Sequence, residues 1–437
     1  MNGFRQLISS VALLLLMQGI AAGQAFEDHS LLLGWDGSLS AELAGPTSGL
    51  TSSSPCDDEK SSASCQAPAQ SGPARGLFPL LGLPGANADS QGIRLSGWEE
   101  MGYTASSSGT GRLAVQPAMN RYGQEFLLDQ FALVFEKPVD KDHFSLGFRA
   151  ELFSGADASF LQGPGDIQNT NPRFGFVIRQ LYASAHAPLL SDGGLDFELG
   201  RRGTPMGYES YMAPGRPFYS LSYQWDYAED GADTGFWTTW HASDRLDLVY
   251  ALTMGANTFF TFRTSSPSHL AEVAYWLQDA KRTRLVATLL IGDQAVGNTL
   301  PVRLGTLDTV LELRLEQAWS KEFTQILQAN YGCTQSVPIL GLGQWCGLLS
   351  IGLLHITPQV DFRARLEWFD DIDGTRTGFP TNYWALTTGI DWHPQPWLSL
   401  RPEIRGDFAG EHAFGPAGTL DRTDHQLSVG LKCLIRF

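Results

Sequence analysis

Apolar and polar side chains alternate through the last residues of the chain, from Leu427 to Phe437. Alternation with period two places successive side chains on opposite faces of a β-strand. One face of this segment is apolar throughout, and the other carries Lys432 and Arg436 beside small residues. A membrane-spanning strand of a closed barrel requires this arrangement, because one face meets lipid and the other meets a water-filled lumen.

The same alternation recurs through most of the chain. Asp361, Arg363 and Arg365, for example, alternate with apolar residues. Charges at every second position suit a wet lumen behind a lipid-facing wall and would be poor in the core of a soluble sandwich. Two of the segments, 175–187 and 347–356, alternate less clearly. The pattern predicts strands at 94–104, 125–136, 144–153, 175–187, 195–201, 234–241, 246–255, 268–278, 284–292, 308–319, 323–331, 347–356, 359–370, 382–392, 398–408 and 425–437.

Short and long connections interleave between these segments without exception. This is the topology of an up-and-down barrel with short periplasmic turns and long extracellular loops. Closure of the barrel leaves no unpaired backbone groups in hydrocarbon. We therefore predict an all-β fold, a transmembrane antiparallel up-and-down β-barrel of about 16 strands over residues 93–437. The long connections are predicted at 105–124, 154–174, 202–233, 256–267, 293–307, 332–346, 371–381 and 409–424.

The N-terminal part of the chain lacks this pattern. Arg5 precedes an apolar run and small residues follow it, which predicts a signal peptide at 1–25. A membrane anchor is the alternative, although the run is short for a span. Residues 26–92 are rich in Ser, Gly, Ala and Pro and are predicted to form a periplasmic linker. The exported barrel would lie in the bacterial outer membrane, with membrane lipid and the outer-membrane assembly machinery as partners.

Charge and cysteine content narrow the function. The formal net charge of −16 argues against a nucleic-acid partner, and the mean hydropathy of −0.12 is too polar for a bundle of membrane helices. Cys56 could pair with Cys65, and Cys333 with Cys346, in an oxidising compartment. No cluster of cysteine and histidine suggests a metal site, and no cofactor is predicted.

Five segments carry a family resemblance, and the most specific is Arg365-Leu-Glu-Trp-Phe-Asp-Asp-Ile-Asp-Gly-Thr-Arg376. The others lie at 97–104, 131–140, 207–220 and 400–405. Together they resemble the putative beta-barrel porin-2, OmpL-like family of bacterial envelope proteins. The resemblance implies an outer-membrane barrel of the porin type. The terminal Phe437 is similar to the closing signature of such barrels, which implies that it serves as an assembly signal.

The longest predicted connection, 202–233, is rich in aromatic and acidic residues. In sixteen-stranded porins the third outer loop folds into the lumen, so by analogy we expect this one to narrow the pore. The predicted constriction residues are Tyr208, Glu209, Tyr211, Arg216, Tyr219, Tyr223, Asp226, Glu229 and Asp230. The predicted lumen-facing charges are Arg149, Glu151, Glu312, Arg314, Glu316, Arg363, Arg365, Glu367, Arg401, Glu403 and Arg405. Opposite charges across a pore would sort solutes by charge and dipole. In the alternative arrangement the loop caps the barrel outside and the wall charges pair with one another.

These patterns predict passive diffusion of small hydrophilic solutes or ions through a water-filled barrel, which by analogy with porins would be a homotrimer. The alternative is a structural or anchoring barrel with a plugged lumen, and conductance would separate the two. No Ser, His and Asp grouping at a suitable spacing predicts hydrolysis, so we expect no enzyme. The mixed lumen charges leave the preference for anions or cations open.

Overall fold

Sixteen antiparallel strands form a closed barrel in the computed structural model of the chain. The structure describes residues 87–88, 92–115, 119–167, 169, 171–261, 267–278, 280–293, 307–337 and 341–437. The barrel strands are β1 (Ile93–Ser106), β2 (Glu125–Lys137), β3 (Ser145–Gly155), β4 (Gly175–Ala187), β5 (Leu195–Gly203), β6 (Ala232–Ser243), β7 (Leu246–Thr253), β8 (Ser268–Trp276), β9 (Thr283–Asp293), β10 (Leu307–Ala318), β11 (Phe323–Val337), β12 (Gly341–Thr357), β13 (Val360–Asp371), β14 (Thr381–Gln395), β15 (Leu398–Ala409) and β16 (His425–Arg436). Each strand pairs with the next, so the predicted fold class is confirmed.

The N-terminal predictions fall almost entirely outside the described residues. The signal peptide at 1–25 and the pair Cys56 and Cys65 lie there, as does all but the end of the linker. At that end, Asn87–Ala88 forms a two-residue strand against β1. Short helical turns occur at Asp157–Ser159 and Ala213–Gly215, and one short helix, α1, spans Tyr223–Tyr227. Among the described residues, no helix has the length and apolar character needed to cross a membrane.

The two faces of the barrel wall differ as the alternation predicts. On β16, Leu427, Val429 and Leu431 point outward and are about half exposed, at 54%, 46% and 53%. Ser428 and Lys432 point inward and are buried. The outward apolar residues would contact lipid, where they lose no favourable interaction with water.

The C-terminus closes the barrel at the pairing of β16 with β1. The Phe437 amide donates to the Gly97 carbonyl over 3.0 Å, and the Gly97 amide donates to the Phe437 carbonyl over 2.8 Å. A Cβ on Gly97 would lie 2.3 Å from the Ala132 carbonyl oxygen and 2.5 Å from the Phe437 ring. Glycine is therefore required at this point, because any side chain would push the terminal ring off the seam.

A β-bulge explains the weak alternation in segment 175–187. Glu151 pairs with Gln180 and Leu152 pairs with Ile178, so Arg179 on β4 has no opposing residue. An extra residue in one strand shifts the inward and outward order by one. A sequence pattern that assumes strict period two therefore fails in the middle of this strand.

The predicted long connection at 332–346 is wrong. Strands β11 and β12 extend to Val337 and from Gly341, which leaves three residues, 338–340, between them. A Cβ on Gly332 would meet the Trp345 indole at 2.2 Å, so this glycine lets the Trp345 ring pack flat across its strand neighbour. The Gly, Thr and Gln content of this hairpin resembles a loop, but the strands remain paired.

The predicted disulfide between Cys333 and Cys346 is also absent. Cys333 lies opposite Gln344, and Cys346 lies opposite Tyr331, so the two cysteines are offset along their strands. Neither cysteine belongs to a disulfide. The error has the same cause as the loop error, because both cysteines lie within paired strands and do not flank a loop.

Candidate functional site

The connection between β5 and β6, residues 204–231, lies inside the barrel, and we call it the lumen loop. The Gly207 amide donates to Glu312 of β10 over 2.6 Å, and the Tyr219 amide donates to Glu403 of β15 over 2.7 Å. The Ala213 amide donates to Gln130 of β2 over 3.0 Å. A loop that capped the barrel from outside could not reach inward side chains on such widely separated strands.

Tyrosine hydroxyls of the lumen loop bind wall carboxylates. Tyr211 donates to Glu151 over 2.7 Å, and Tyr223 donates to Asp407 over 2.8 Å. Burial raises the pKa of both tyrosines well above the usual value, so the hydroxyls stay protonated and act as donors. A buried hydroxyl without a partner would oppose folding, so these bonds hold the aromatic rings at fixed positions.

The inner wall against which the lumen loop lies carries two rows of charged side chains, which we call the charged ladder. The rows run along the inward faces of β13 and β15, on either side of the small inward residues Ala385, Thr387 and Gly389 of β14. Thr387 lies directly between Arg365 and Arg405 in the pairing register. The charged ladder consists of Asp361, Arg363, Arg365 and Glu367 on β13 and of Arg401, Glu403, Arg405 and Asp407 on β15.

Segment 217–223 of the lumen loop lies between these two rows. Glu403 accepts from the Tyr219 amide, as described above, and also from the Ser220 amide over 3.0 Å. Arg365 donates to the Ser220 carbonyl over 2.8 Å, and Arg405 donates to the Leu221 carbonyl over 3.1 Å. Carboxylates thus accept hydrogen bonds from backbone N–H groups, and guanidinium groups donate hydrogen bonds to backbone carbonyls. Such charge-assisted hydrogen bonds are stronger than neutral ones.

Helix α1 continues this attachment. The Tyr223 amide donates to Glu367 over 2.7 Å, and Ser222 caps the helix by accepting from the Trp225 amide over 3.1 Å. The first amides of a helix have no partner within the helix. Glu367 and Ser222 supply those partners, so the ladder fixes the start of α1.

The acidic constriction residues differ in their partners. Glu209 accepts from Arg365 over 2.6 Å, and Asp226 forms an ion pair with Arg121. Burial raises the pKa of Glu229, and the nearby Glu312 raises it further. The Glu229 carboxyl group accepts a hydrogen bond from the Gln328 side-chain amide over 2.5 Å.

The remaining constriction residues lie near the start, in the middle and at the end of the lumen loop. The Tyr208 amide donates to Gln328 over 2.9 Å, near the start of the loop. Asp230 binds Asn257 over 3.4 Å at its end, and burial raises the pKa of Asp230. Arg216 forms a buried ion pair with Glu100 of β1. All nine predicted constriction residues therefore lie on one loop that contacts the inner wall.

The predicted lumen-facing charges all point inward, and most of them pair. Arg365 lies 3.0 Å from Glu367, and Arg405 lies 2.8 Å from the same carboxylate. Close pairs also join Arg149 to Glu136 and Glu151, Arg314 to Glu312 and Glu316, and Arg363 and Arg401 to Asp391. The wall therefore carries ion pairs that act as dipoles of alternating direction. The same charged groups form hydrogen bonds with the lumen loop.

Several wall residues escaped the sequence analysis. Gln130 and Gln328 bind the lumen loop but carry no charge, so only their inward position in the period-two register marks them. Asp129 accepts from the Tyr219 hydroxyl over 2.8 Å, and it lies beside a register shift of β2 that obscures its direction. Lys432 binds Glu100 over 2.7 Å, and its place on the polar face of β16 was visible in the sequence.

Within the described part of the chain, one group of side chains has a spacing that could hold a metal ion, namely Asp361, Asp391 and His393. Arg363 lies 3.1 Å from Asp361 and 2.7 Å from Asp391, so its guanidinium already joins the two carboxylates. Arg401 adds a second positive charge 2.7 Å from Asp391. Among the described residues this group therefore functions as an ion-pair cluster.

One cavity beside the lumen loop is small. A cavity of about 30 Å³ lies between the start of the loop and the wall, where Gln180 and Arg202 contribute to its lining. A volume of this size holds about one or two water molecules. A larger solute would fit in this cavity only if the loop moved away from the wall.

The family model for putative beta-barrel porin-2, OmpL-like proteins matches residues 92–437, which include every strand of the barrel. The chain belongs to this family. It is an outer-membrane porin and an integral outer-membrane protein. Membership in a channel family indicates transport and gives no support to enzymatic activity. No curated protein matches the chain.

Solved porin structures share the fold. The anion-selective porin from Comamonas acidovorans is 12% identical, with a TM-score of 0.55, and the match covers 79% of this chain and 99% of that one. The outer-membrane channel DcaP of Acinetobacter baumannii is 11% identical, with a TM-score of 0.53 and coverage of 79% and 97%. Salmonella typhi OmpF is 13% identical, with a TM-score of 0.52 and coverage of 80% and 99%. At such low identity the likeness establishes the architecture of the barrel and says nothing about its solute.

Proposed function

We propose that small hydrophilic solutes or ions diffuse passively through the lumen, and that the lumen loop sets the width of their path. The observation that carries this proposal is the attachment of segment 217–223 to Glu403, Arg365 and Arg405 of the wall. No chemical step takes place. The polar wall hydrates the path, and the position of the loop determines what can pass.

The hydrogen bonds together hold the loop firmly against the wall, although each single bond is weak. A single hydrogen bond to a charged group contributes about 1.5–3 kcal/mol. Water or a polar solute can replace each partner in turn, because the wall groups are hydrogen-bonding groups and not an apolar core. We propose that solutes pass when part of the loop separates from the charged ladder.

A plugged structural barrel is the second candidate function. The observation that favours it is the small cavity of about 30 Å³ beside the loop. A barrel whose loop never leaves the wall would conduct nothing and would serve as an anchor or a binding surface.

Single-channel conductance of the refolded protein in a planar bilayer distinguishes the two functions. The test compares wild type with a deletion of residues 208–225. We expect discrete steps from wild type and larger steps from the deletion. A silent wild type beside a conducting deletion would indicate a plug, and silence from both proteins would contradict the porin proposal.

We further propose that Phe437 acts as an assembly signal for the outer-membrane assembly machinery and that the barrel forms a homotrimer. The hydrogen bonds between Phe437 and Gly97 across the closing seam support a role in assembly. Removal of Phe437 should lower the amount of folded barrel in the outer membrane, measured by resistance of the unheated protein to SDS. Sedimentation in detergent tests the trimer, and a monomer mass would contradict it.

A further inference from the structure

The charged ladder forms a trough that fits a peptide backbone, and the protein's own loop occupies it. The rows of β13 and β15 form the sides, and the small inward residues Ala385, Thr387 and Gly389 of β14 form the floor. Small floor residues let the backbone of segment 217–223 approach the wall closely. The groups that surround it are therefore positioned for main-chain atoms.

The trough binds the segment mainly through backbone groups, although Arg365 also donates to the Ser220 hydroxyl over 2.9 Å and Asp407 accepts from the Tyr223 hydroxyl. Glu403 accepts from two consecutive amides, those of Tyr219 and Ser220. Arg365 donates to two consecutive carbonyls, those of Ser220 and Leu221, over 2.8 Å and 3.3 Å. Main-chain groups are common to every peptide, so these contacts do not depend on the sequence of the occupant.

One side chain of the occupant fills an apolar pocket. Phe218 is 2% exposed and packs against Ile326, Leu349 and Ile351 on the inward faces of β11 and β12. The Arg365 guanidinium carbon lies 4.9 Å from the centre of the Phe218 ring, which is a cation–π distance. An apolar pocket in a polar lumen favours an aromatic side chain next to the backbone clamp.

We propose that the trough is a binding site for short peptides that carry an aromatic residue, and that such peptides are solutes of the pore. Segment 217–223 is then an intramolecular occupant that an entering peptide displaces. This inference rests on the proposed diffusion function, since it names the solute class for the same lumen.

The intramolecular occupant keeps the site weak. A tethered segment competes at an effective concentration of roughly millimolar order. A free peptide therefore binds with low apparent affinity and leaves quickly, as passage through a diffusion channel requires. An inorganic ion or a sugar could bind the charged groups, but neither carries an aromatic ring that would fill the apolar pocket.

The experiment measures swelling of liposomes that contain the full mature protein. The solutes are acetyl-Ser-Phe-Ser-amide, acetyl-Ser-Ala-Ser-amide and sucrose, all uncharged, at low concentration. We expect the aromatic peptide to enter about tenfold faster than the alanine peptide despite its larger size, because burial of one aromatic side chain favours binding by about that factor or more. Equal rates for the two peptides, or a rate order set by size alone, would overturn the inference.

Three variants sharpen the result. Glu403→Gln removes the charged acceptor that the segment and an entering peptide share. The weaker attachment of the segment admits sucrose as well as peptide, whereas the lost contact weakens binding of the peptide alone, so the ratio of aromatic-peptide uptake to sucrose uptake should fall severalfold. Glu136→Gln is the matched control, because Glu136 faces the lumen 2.5 Å from Arg149 and lies outside the trough. Phe218→Ala weakens the competing segment and leaves the wall intact, so this variant should raise the same ratio. A fall in the ratio for Phe218→Ala would contradict the role of the segment as competitor.

A binding measurement separates failure of this inference from failure of the diffusion proposal. Saturation-transfer NMR detects contact between the aromatic peptide and detergent-solubilised protein without any need for conductance. If no solute swells the liposomes but the peptide binds, and binds better to Phe218→Ala, the trough is a peptide site in a non-conducting barrel. If neither protein binds the peptide, the inference is wrong even where the channel conducts.

Discussion

The inner wall has two unlike halves. On β13 and β15 every inward position of the charged ladder is ionisable, from Asp361 to Glu367 on β13 and from Arg401 to Asp407 on β15. On β8 and β9 the inward positions include the buried apolar residues Leu270, Val286 and Leu290. The backbone of segment 217–223 of the lumen loop forms hydrogen bonds with the charged half. The difference indicates that the charged half fixes segment 217–223 through directional hydrogen bonds. The other half, which also carries the buried Glu272 and Arg284, contributes apolar packing through Leu270 and Leu290.

This contrast changes the picture of a uniformly wet lumen. Buried apolar side chains stabilise a barrel through close packing, which does not depend on pH or salt. Charged pairs are directional, and their hydrogen bonds can be exchanged for those of water or solute. Substitutions in the two halves should therefore change different properties.

The largest effect is expected from Arg365→Ala in the charged half. Arg365 is fully buried and pairs with Glu209 at 2.6 Å and Glu367 at 3.0 Å. Removal of one partner from a buried ion pair costs about 3–5 kcal/mol, because the other charge is left buried. We expect larger conductance steps and a lower melting temperature. Arg173→Ala, at an exposed pair with Glu125, is the control and should change neither property by much.

Leu290→Ala tests the apolar half. Leu290 is 2% exposed, so truncation should lower the free energy of unfolding by about 2–5 kcal/mol. Leu290 shares an apolar cluster with Met206 and Tyr227 of the lumen loop, but it forms no hydrogen bond to the loop. Conductance should therefore change much less than in Arg365→Ala. Thermal unfolding and planar-bilayer recordings of the same preparation provide both measurements. A large change in conductance would break the division of roles between the two halves.

A pH effect of intermediate size is expected at Asp157, in the helical turn before β4. Burial raises the pKa of Asp157 from 3.8 to about 8, against the opposing effect of Arg216 at 3.6 Å. Because its pKa is raised, Asp157 stabilises the attached position of the lumen loop when its carboxyl group is neutral. This stabilisation is complete below the pKa of a carboxyl group in water and is lost as pH rises through about 8. Conductance should therefore be higher at pH 9 than at pH 5. The variant Asp157→Asn should respond less to pH, and an unchanged response would rule out this residue as the cause.

The smallest effect concerns charge selectivity. Because the charged ladder contains four arginines and four carboxylates that largely pair with one another, it presents dipoles and little net charge. We expect a weak preference between potassium and chloride, read from the reversal potential in a potassium chloride gradient. A strong preference for either ion would show that unpaired charge elsewhere in the lumen controls selectivity.

The sequence was most informative where one rule governs many residues. Sixteen strands were predicted because lipid outside and polar groups inside impose period two on the wall. The rule failed at Arg179, where a bulge shifts the register, and at 332–346, where strands with loop-like composition stay paired. Neither feature has a periodic signature.

The site was less predictable for a physical reason. The charges of the ladder were visible from alternation, and the acidic and aromatic loop was visible from composition. Which backbone atom Glu403 or Arg365 binds depends on how an irregular segment lies in space, and no local pattern encodes that. Gln130 and Gln328 were missed because a neutral amide on an inward face resembles any other polar wall residue.

The most direct test of the account is to lock the lumen loop to the wall. A Cβ on Gly347 would lie 2.8 Å from Gln224 Cγ, so the double variant Gln224→Cys and Gly347→Cys brings two thiols within disulfide reach. The native cysteines are replaced by serine, and the single variant Gln224→Cys is the control. Conductance should be nearly abolished in the oxidised double variant and restored by a reducing agent. Equal conductance before and after reduction, with the disulfide verified by mass, would contradict the claim that solutes pass when the loop leaves the wall.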